Sequence, residues 1–298
     1  MRRLVPAALL VLAACAGETG DRSTLVYYFT SEPRSLDPAL STDVPTGEVI
    51  TLIFDNLTRF DPDANLEPAL AERWETDSTG RLYTFHLRRG VTFHDGRPVT
   101  ADDVRASFLR VLDPGQTGGR NWPLMPIAGA REYAAGSAQD VPGIRVVDDS
   151  TITLEITEPL NVFPKLLAMP VAAVVPTPTP EGFDQSPVGS GPWRFVSWAH
   201  DDAIVVSANE NYWDGRPAED TLIIRVIPEA FTQSAEFEAG NLSVVEVPFG
   251  ETRRWEETRA DQIQRRLALR DVYIAINTTR GPLRDPRVRR ALNHAVEV

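Results

Sequence analysis

Tyr83-Thr84-Phe85-His86-Leu87-Arg88-Arg89-Gly90-Val91-Thr92-Phe93-His94-Asp95-Gly96-Arg97-Pro98-Val99-Thr100-Ala101-Asp102-Asp103-Val104 holds a strand signal, a turn signal and a helix start in close succession. Arg81 to Arg88 alternates apolar and polar side chains, with Leu82, Phe85 and Leu87 partly in register, and reads as a strand. Phe93-His94-Asp95-Gly96 reads as a hairpin turn with Asp95-Gly96 at the positions of positive φ, which makes His94 a turn hydrogen-bonder and not a ligand. Thr100 can cap a helix with its hydroxyl, and Asp103 can answer the Thr100 N–H. Val104, Phe108, Val111 and Leu112 give that helix a buried stripe, and Asp113-Pro114-Gly115 ends it.

Working toward the N-terminus, Glu67 to Trp74 reads as a short amphipathic helix and Asp61 to Asn65 as a loop. Val49, Ile50, Ile53, Phe54 and Leu57 fall at helical spacing, Ser35-Leu36-Asp37-Pro38 is a turn, and Thr24 to Phe29 is a β-branched and aromatic strand. Toward the C-terminus, strands are expected at 144–147, 151–157, 171–175, 193–197, 204–208, 222–227, 242–247 and 269–276, with helices at 229–239 and 252–260. Pro176-Thr177-Pro178-Thr179-Pro180 is linker-like and marks a domain boundary. Mixed strands and helices without regular alternation imply mixed α/β domains joined by chain crossovers. No internal repeat is present.

The chain has 298 residues, 42% hydrophobic and 24% charged, which suits two or three ordinary domains and excludes disordered and fibrous classes. Its net charge of −12 disfavours a nucleic-acid partner, which demands a basic stripe. Arg2 and Arg3, followed by the apolar run Leu4 to Ala14, read as a secretory signal at 1–14, too short to span a bilayer. Cys15, the one cysteine, follows Leu12-Ala13-Ala14 and resembles the acylated cysteine of a bacterial lipobox. Residues 15–23 then serve as a flexible tether, and the expected location is outside the inner membrane, held by lipid.

Residue patterns for catalysis are missing. The four histidines, His86, His94, His200 and His294, include no His-Glu-x-x-His and no second His at ligand spacing, so no metal site is expected. Gly189-Ser190-Gly191 is too short for a nucleophile elbow, and the sole lysine, Lys165, follows no phosphate-binding glycine loop. The acid pairs Asp102-Asp103, Asp148-Asp149 and Asp201-Asp202 read as solvated surface. No cofactor and no enzyme activity are expected.

Several stretches in order resemble the bacterial extracellular solute-binding proteins of family 5, the peptide- and nickel-binding group of ABC importers. They are Ser31 to Pro38, Ile53 to Leu57, Pro68 to Trp74, the opening stretch 83–104, Pro187 to Trp193, Asn209 to Gly215, Ile276-Asn277 and Asp285 to Leu292. The resemblance implies a type II periplasmic-binding-protein-like fold. In it, 24–52 and 178–270 form a near lobe, 53–177 an inserted subdomain, and 271–298 the start of a far lobe that is mostly missing, as in a C-terminally truncated chain. It implies capture of oligopeptides or dipeptides between lobes, delivery to permease subunits with their ATPase, and a monomer. Other readings of the same fold are a nickel chelate, haem or oligosaccharide binder, or a sensory or scaffold lipoprotein.

The resemblance places Ser31, Glu32 and Arg34 on the cleft side of the near lobe, Trp122 near an aromatic that relatives offer to the cleft, and Asn277 with Ala275 on the opposite lobe. Pro33 cannot donate a backbone hydrogen bond there. The remaining motif residues read as scaffold: Gly189 and Gly191 allow close backbone passage near a hinge. Tyr212 and Trp213 are packing aromatics at a strand end, and Arg287, Arg289 and Arg290 form a solvated helix face.

Overall fold

The computed structural model describes residues 23–115, 120–265 and 274–296, which fall into two compact units divided after Pro248. In the first unit the chain runs through β1 (Thr24–Phe29), α1 (Val44–Ile53), β2 (Thr58–Phe60), β3 (Leu66–Pro68), β4 (Ala71–Thr76) and β5 (Leu82–Leu87). It continues through α2 (Ala101–Leu112), α3 (Ala130–Ala134), β6 (Ile144–Asp148), β7 (Thr151–Glu155) and α4 (Phe163–Leu166). It returns as β8 (Trp193–Ala199), β9 (Ala203–Ala208), β10 (Thr221–Val226) and α5 (Ala230–Glu238).

Two four-stranded sheets organise this unit, in the orders β1-β10-β9-β8 and β4-β5-β7-β6. β1 lies parallel to β10, nearly two hundred residues later, while the other pairings are antiparallel. Between β1 and β8 the chain makes an excursion: after α1, which packs on the first core, it builds the second sheet and then comes back as β8, β9 and β10. Each sheet has its own core. Phe29, Val49, Ile50, Ile53, Phe54, Ile204, Val206 and Ile224 fill the first, against α1. Phe85, Leu87, Val104, Phe108, Leu112, Ile152, Leu154 and Phe163 fill the second, where α2 lies over β6 and β7. Burying a Phe or Leu in such a core contributes about 1.5–3 kcal/mol each, so both sheets have the apolar area they need.

The 83–104 stretch folds largely as its pattern predicts. β5 alternates with Tyr83, Phe85 and Leu87 inward. α2 starts at Thr100 with the capping box closed: the Thr100 N–H donates to Asp103 Oδ2 at 2.9 Å. Two details differ. In the turn, Gly96 alone has positive φ, at 90°, so Asp95 is not in the left-handed region. Asp103 is not solvated surface: it is buried, and its Oδ1 accepts the Thr177 N–H at 3.0 Å, fastening α2 to the segment that leaves the second core.

Three expected elements are absent. Glu67 to Trp74 is strand and not helix: Arg59 pairs with Glu67 and Trp74 with Phe85. Leu70 and Trp74 are four apart and both face inward, a spacing that puts two side chains on one face of a helix and of a strand alike, so it does not tell the two apart. Val171 to Val175 holds part of a 3-10 turn, Pro170–Ala172, and then runs extended without a ladder partner; Val174 N–H instead donates to Asp55 O at 2.9 Å. Leu242 to Val247 runs beside β1 without a regular ladder. The Ser243 N–H donates to Val26 O at 2.8 Å, but the return bond goes from Val26 N–H to the Ser243 hydroxyl at 2.9 Å. A side chain has taken the place of a backbone carbonyl.

The second unit contains α6 (Thr252–Thr258) and α7 (Pro286–Ala295), with short 3-10 turns. Trp255 is buried, its indole N–H donates to Glu251, and Arg254 and Arg259 lie against its ring. α7 is capped by Asp285, whose Oδ1 accepts the Arg287 N–H at 2.9 Å. Arg287 and Arg290 are exposed and Arg289 partly so, as a solvated face requires. Residues 274–276 carry no strand, and the rest of the strand expected at 269–276 lies outside the described residues.

Candidate functional site

The motif residues from distant parts of the chain converge on one junction between the two cores. Asp55, just past α1, is buried, and its carboxylate accepts from the Ser190 hydroxyl at 3.0 Å, the Tyr212 hydroxyl at 3.0 Å and the Trp213 indole N–H at 3.3 Å. Tyr212 and Trp213 thus sit in the turn after β9 as hydrogen-bond donors, not merely as packing aromatics at a strand end. Burial pushes the Asp55 carboxyl up to about 6, against the pull of those three donors and of the Arg59 charge. Arg59 itself is paired with Glu67 at 2.6 Å and Asp214 at 2.7 Å.

His94 serves the same junction from the other side. Its turn is closed by backbone bonds, Gly96 N–H to Phe93 O and Phe93 N–H to Arg97 O. The ring instead reaches Gly191 O at 3.0 Å through Nε2, while Nδ1 accepts the Gly189 N–H at 3.3 Å. His94 is a long-range clasp, and not a turn hydrogen-bonder. Burial pushes the imidazole down to about 4. Gly189 and Gly191 do permit close passage: a Cβ on Gly189 would stand 1.9 Å from Ile53 O, and one on Gly191 2.6 Å from the Ile53 carbonyl carbon.

The candidate binding surface of the first unit is built by the chain between β1 and α1. Ser31 and Arg34 are exposed and Pro33 is buried between them. Glu32 turns toward the β8–β9 hairpin. Its Oε1 accepts from the Trp198 indole at 2.8 Å and the Asp201 N–H at 3.1 Å, and lies 3.0 Å from His200 Nδ1. Asp201 sits at φ 58°, a left-handed position that this bond helps hold. Partial burial opposes ionisation of Glu32, but the Asp201 N–H, His200 and Trp198 outweigh it and keep the carboxyl below its ordinary value.

Beyond Arg34, an open recess of about 360 Å³ lies between the first turns of α1 and the Met169–Val171 turn, with Arg120 on a third side. Val44, 71% exposed, stands at its mouth. Asp43 caps α1 by accepting the Thr46 N–H at 2.9 Å. Its other oxygen is buried and receives no hydrogen bond among the described residues, and the Arg34 guanidinium is 3.9 Å away. The Trp122–Leu124 turn packs on the Pro170–Ala172 turn, and Trp122 itself is 51% exposed and does not line the recess. Such a recess, apolar within and charged at its rim, can seat an apolar side chain while Asp43, Glu48 and Arg120 face the polar parts of the same molecule.

Sequence reading singled out Ser31, Glu32, Arg34 and Trp122 but missed Asp43, Val44, Arg120 and Met169. Asp43-Val44-Pro45 is the one available signal, an N-cap followed by proline inside the first turn. Asn277 lies in the second unit, exposed, with its Oδ1 accepting the Thr279 N–H at 2.9 Å; Ala275 is exposed there too. Cys15 and the signal segment lie outside the described residues. Among the described residues no helix is long and apolar enough to cross a membrane, and no three His, Cys, Asp or Glu side chains cluster as a metal site.

An excursion from a first sheet into a second, pinned at a glycine-lined junction beside an open recess, is the near part of a two-lobed solute-binding architecture. The chain belongs to the bacterial extracellular solute-binding proteins, family 5, whose middle-region model matches residues 65–298. It is 32% identical over 325 aligned positions to heme-binding protein A of Haemophilus influenzae, covering 98% of this chain and 58% of that protein. It is 30% identical to the dipeptide-binding protein of Escherichia coli, covering 97% and 57%. Among solved structures, OppA of Burkholderia pseudomallei matches with a TM-score of 0.83 and 25% identity, over 91% of this chain and 55% of that one. The chain therefore spans somewhat over half the length of these relatives.

Proposed function

We propose that this chain supplies the near lobe and the start of the far lobe of a peptide-capturing protein for an ABC importer. Its partners are a peptide ligand, and permease subunits with their ATPase. The observation that carries the reading is end-to-end similarity, 97% of the chain, to a dipeptide-binding protein within a family of substrate-binding proteins. On this reading 24–52 and 178–270 make the near lobe, 53–177 the inserted subdomain and 271–298 the beginning of the far lobe. Ser31, Glu32 and Arg34 face an extended peptide, Trp122 covers it, the recess beside Val44 takes a side chain, and Asn277 approaches from the far lobe. Main-chain hydrogen bonding would supply affinity, with tolerant pockets for side chains. No chemistry on the ligand is required. The protein works as a monomer, exported and held to the membrane by lipid on Cys15.

Haem is the second reading, favoured by the 32% identity to a heme-binding protein. Native mass spectrometry of the protein recovered from its own cells separates the two. Bound masses that fragment as short peptides support the proposal. A haem mass with a Soret band replaces it, and a nickel chelate or sugar mass would do the same for those ligands.

A further inference from the structure

Gly189, Ser190 and Gly191 are gripped by a buried acid on one side and a buried base on the other. The acid is Asp55, which holds the Ser190 hydroxyl; the base is His94, which holds the Gly189 N–H and the Gly191 carbonyl. Both bind at the place where the chain re-enters the first core, and the Gly191 N–H is fixed there to Ile53 O at 2.9 Å. The hydrogen-bond pattern dictates the protonation state of His94: Nδ1 accepts, so Nε2 carries the proton and the ring is neutral. Asp55 is not so constrained. Two of its three partners are hydroxyls, which can turn from donating to accepting when the acid takes a proton.

We propose that Asp55 and His94 form a pair of opposite proton responses on this one tripeptide, so that the fastening between the two cores keeps constant strength from neutral pH into mild acid. The signs follow from burial. Asp55 rises from 3.8 to about 6, so the folded protein takes up a proton in the interval below pH 6 that the unfolded chain does not, and acid strengthens the fold. His94 falls from 6.5 to about 4, so the unfolded chain takes up a proton that the folded protein refuses, and acid weakens the fold. The two intervals nearly coincide, and the two responses oppose each other.

The surroundings leave the pairing intact. Asp55 faces Ser190, Tyr212 and Trp213, with Arg59 the nearest cation, held in turn by Glu67 and Asp214. Arg88 lies over the Trp213 ring at 4.3 Å, and Arg59 at 5.3 Å. His94 has the Arg194 guanidinium bonded to its own carbonyl oxygen, and Asp95 beside it is tied to Arg97 at 2.8 Å. The proposal rests on the fold and is independent of which ligand the protein carries.

Urea unfolding of the wild type, Asp55→Asn, His94→Gln and the double variant between pH 4.5 and 7.5 tests it. Relative to wild type, Asp55→Asn should steepen the acid loss of stability by about thirtyfold in the unfolding constant, and His94→Gln should reverse it by a similar factor. The double variant should run parallel to wild type. Single variants that both keep the wild-type slope, or that move it the same way, overturn the proposal. Nitrogen NMR of the His94 ring decides independently, should a variant fail to fold. A neutral Nε2–H tautomer retained at pH 5 supports the pairing, and titration at pH 6 or above refutes it.

Discussion

Adding a single methyl at Gly189 tests whether the two cores are joined by direct backbone contact. Gly189 has ordinary backbone angles, so no left-handed strain is involved; what matters is space. An alanine Cβ would stand 1.9 Å from Ile53 O, 2.7 Å from the Ile53 carbonyl carbon and 2.9 Å from a Phe54 ring carbon. The first value is more than an ångström short of the 3.0 Å that real contacts respect. Ile53 cannot retreat freely, because its oxygen accepts the Gly191 N–H and Phe54 N–H is bonded to Ile50 O at 2.8 Å. Overpacking of this kind costs about 1–3 kcal/mol. Displacing the tripeptide also loosens buried bonds, Gly189 O to His94 N–H at 2.7 Å among them, for about 1–3 kcal/mol more. Gly189→Ala should therefore destabilise the protein by about 3–5 kcal/mol, read as a fall in the urea midpoint at unchanged slope. Gly96→Ala is the control. Its φ is 90° but nothing lies within 4 Å of the added Cβ, so it should cost about 1–2 kcal/mol, the strain alone. If Gly189→Ala costs no more than Gly96→Ala, the contact argument is wrong.

Other outcomes are expected. Arg110→Met should cost about 3–5 kcal/mol by circular dichroism melts, because it strands the buried Asp37 carboxylate that Arg110 clasps with both terminal nitrogens, and adding Asp37→Asn should recover much of the loss. The Glu32–Trp198 bond should persist above the ordinary glutamate pKa of 4.5 and be lost as pH falls through the lower folded value. A tryptophan fluorescence change confined to that acid range should then be absent in Glu32→Ala. Trp122→Ala should leave stability within about 0.5 kcal/mol of wild type, because the side chain is half exposed, and on the proposed reading should weaken peptide binding in an equilibrium titration.

Where the sequence pattern was local, it was legible. β5 and α2 follow from alternation and a capping box close together in the chain, Leu82–Leu87 and Thr100–Asp103, and those bonds form as expected. The failures share a cause: a partner far away in the chain. Leu70 and Trp74 imitate a helix because residues four apart share a face in helix and strand alike, and only the pairing of Trp74 with Phe85 of β5 decides for strand. Leu242 to Val247 fails as a regular strand because Ser243 offers a hydroxyl where β1 would meet a carbonyl. His94 reads as a turn residue until Gly189 and Gly191 are brought to it from some ninety-five residues away. The binding surface shows the same limit. Glu32 could be singled out by its motif, but not its bonds to Trp198 and Asp201, and Arg120 could not be joined to Val44 without the fold.

Four of the stretches that carry the family resemblance, 53–57, 83–104, 187–193 and 209–215, supply the residues that hold the junction. Asp55, His94, Gly189, Ser190, Gly191, Tyr212 and Trp213 bond or crowd one another where the chain passes twice between its cores. A residue fixed by several simultaneous contacts admits few replacements, since each change breaks more than one bond. The recess is built differently. Val44, Arg120 and Met169 meet at an open surface, and Val44 is mostly exposed, so substitutions there disturb little of the fold. This division separates two questions that the sequence presents together: the junction residues carry the family resemblance, while the recess residues lie outside its motifs. If the recess seats part of the ligand as proposed, exchange of its residues should change ligand preference in a binding titration while the urea midpoint stays near the wild-type value, and a collapse of stability would refute the division.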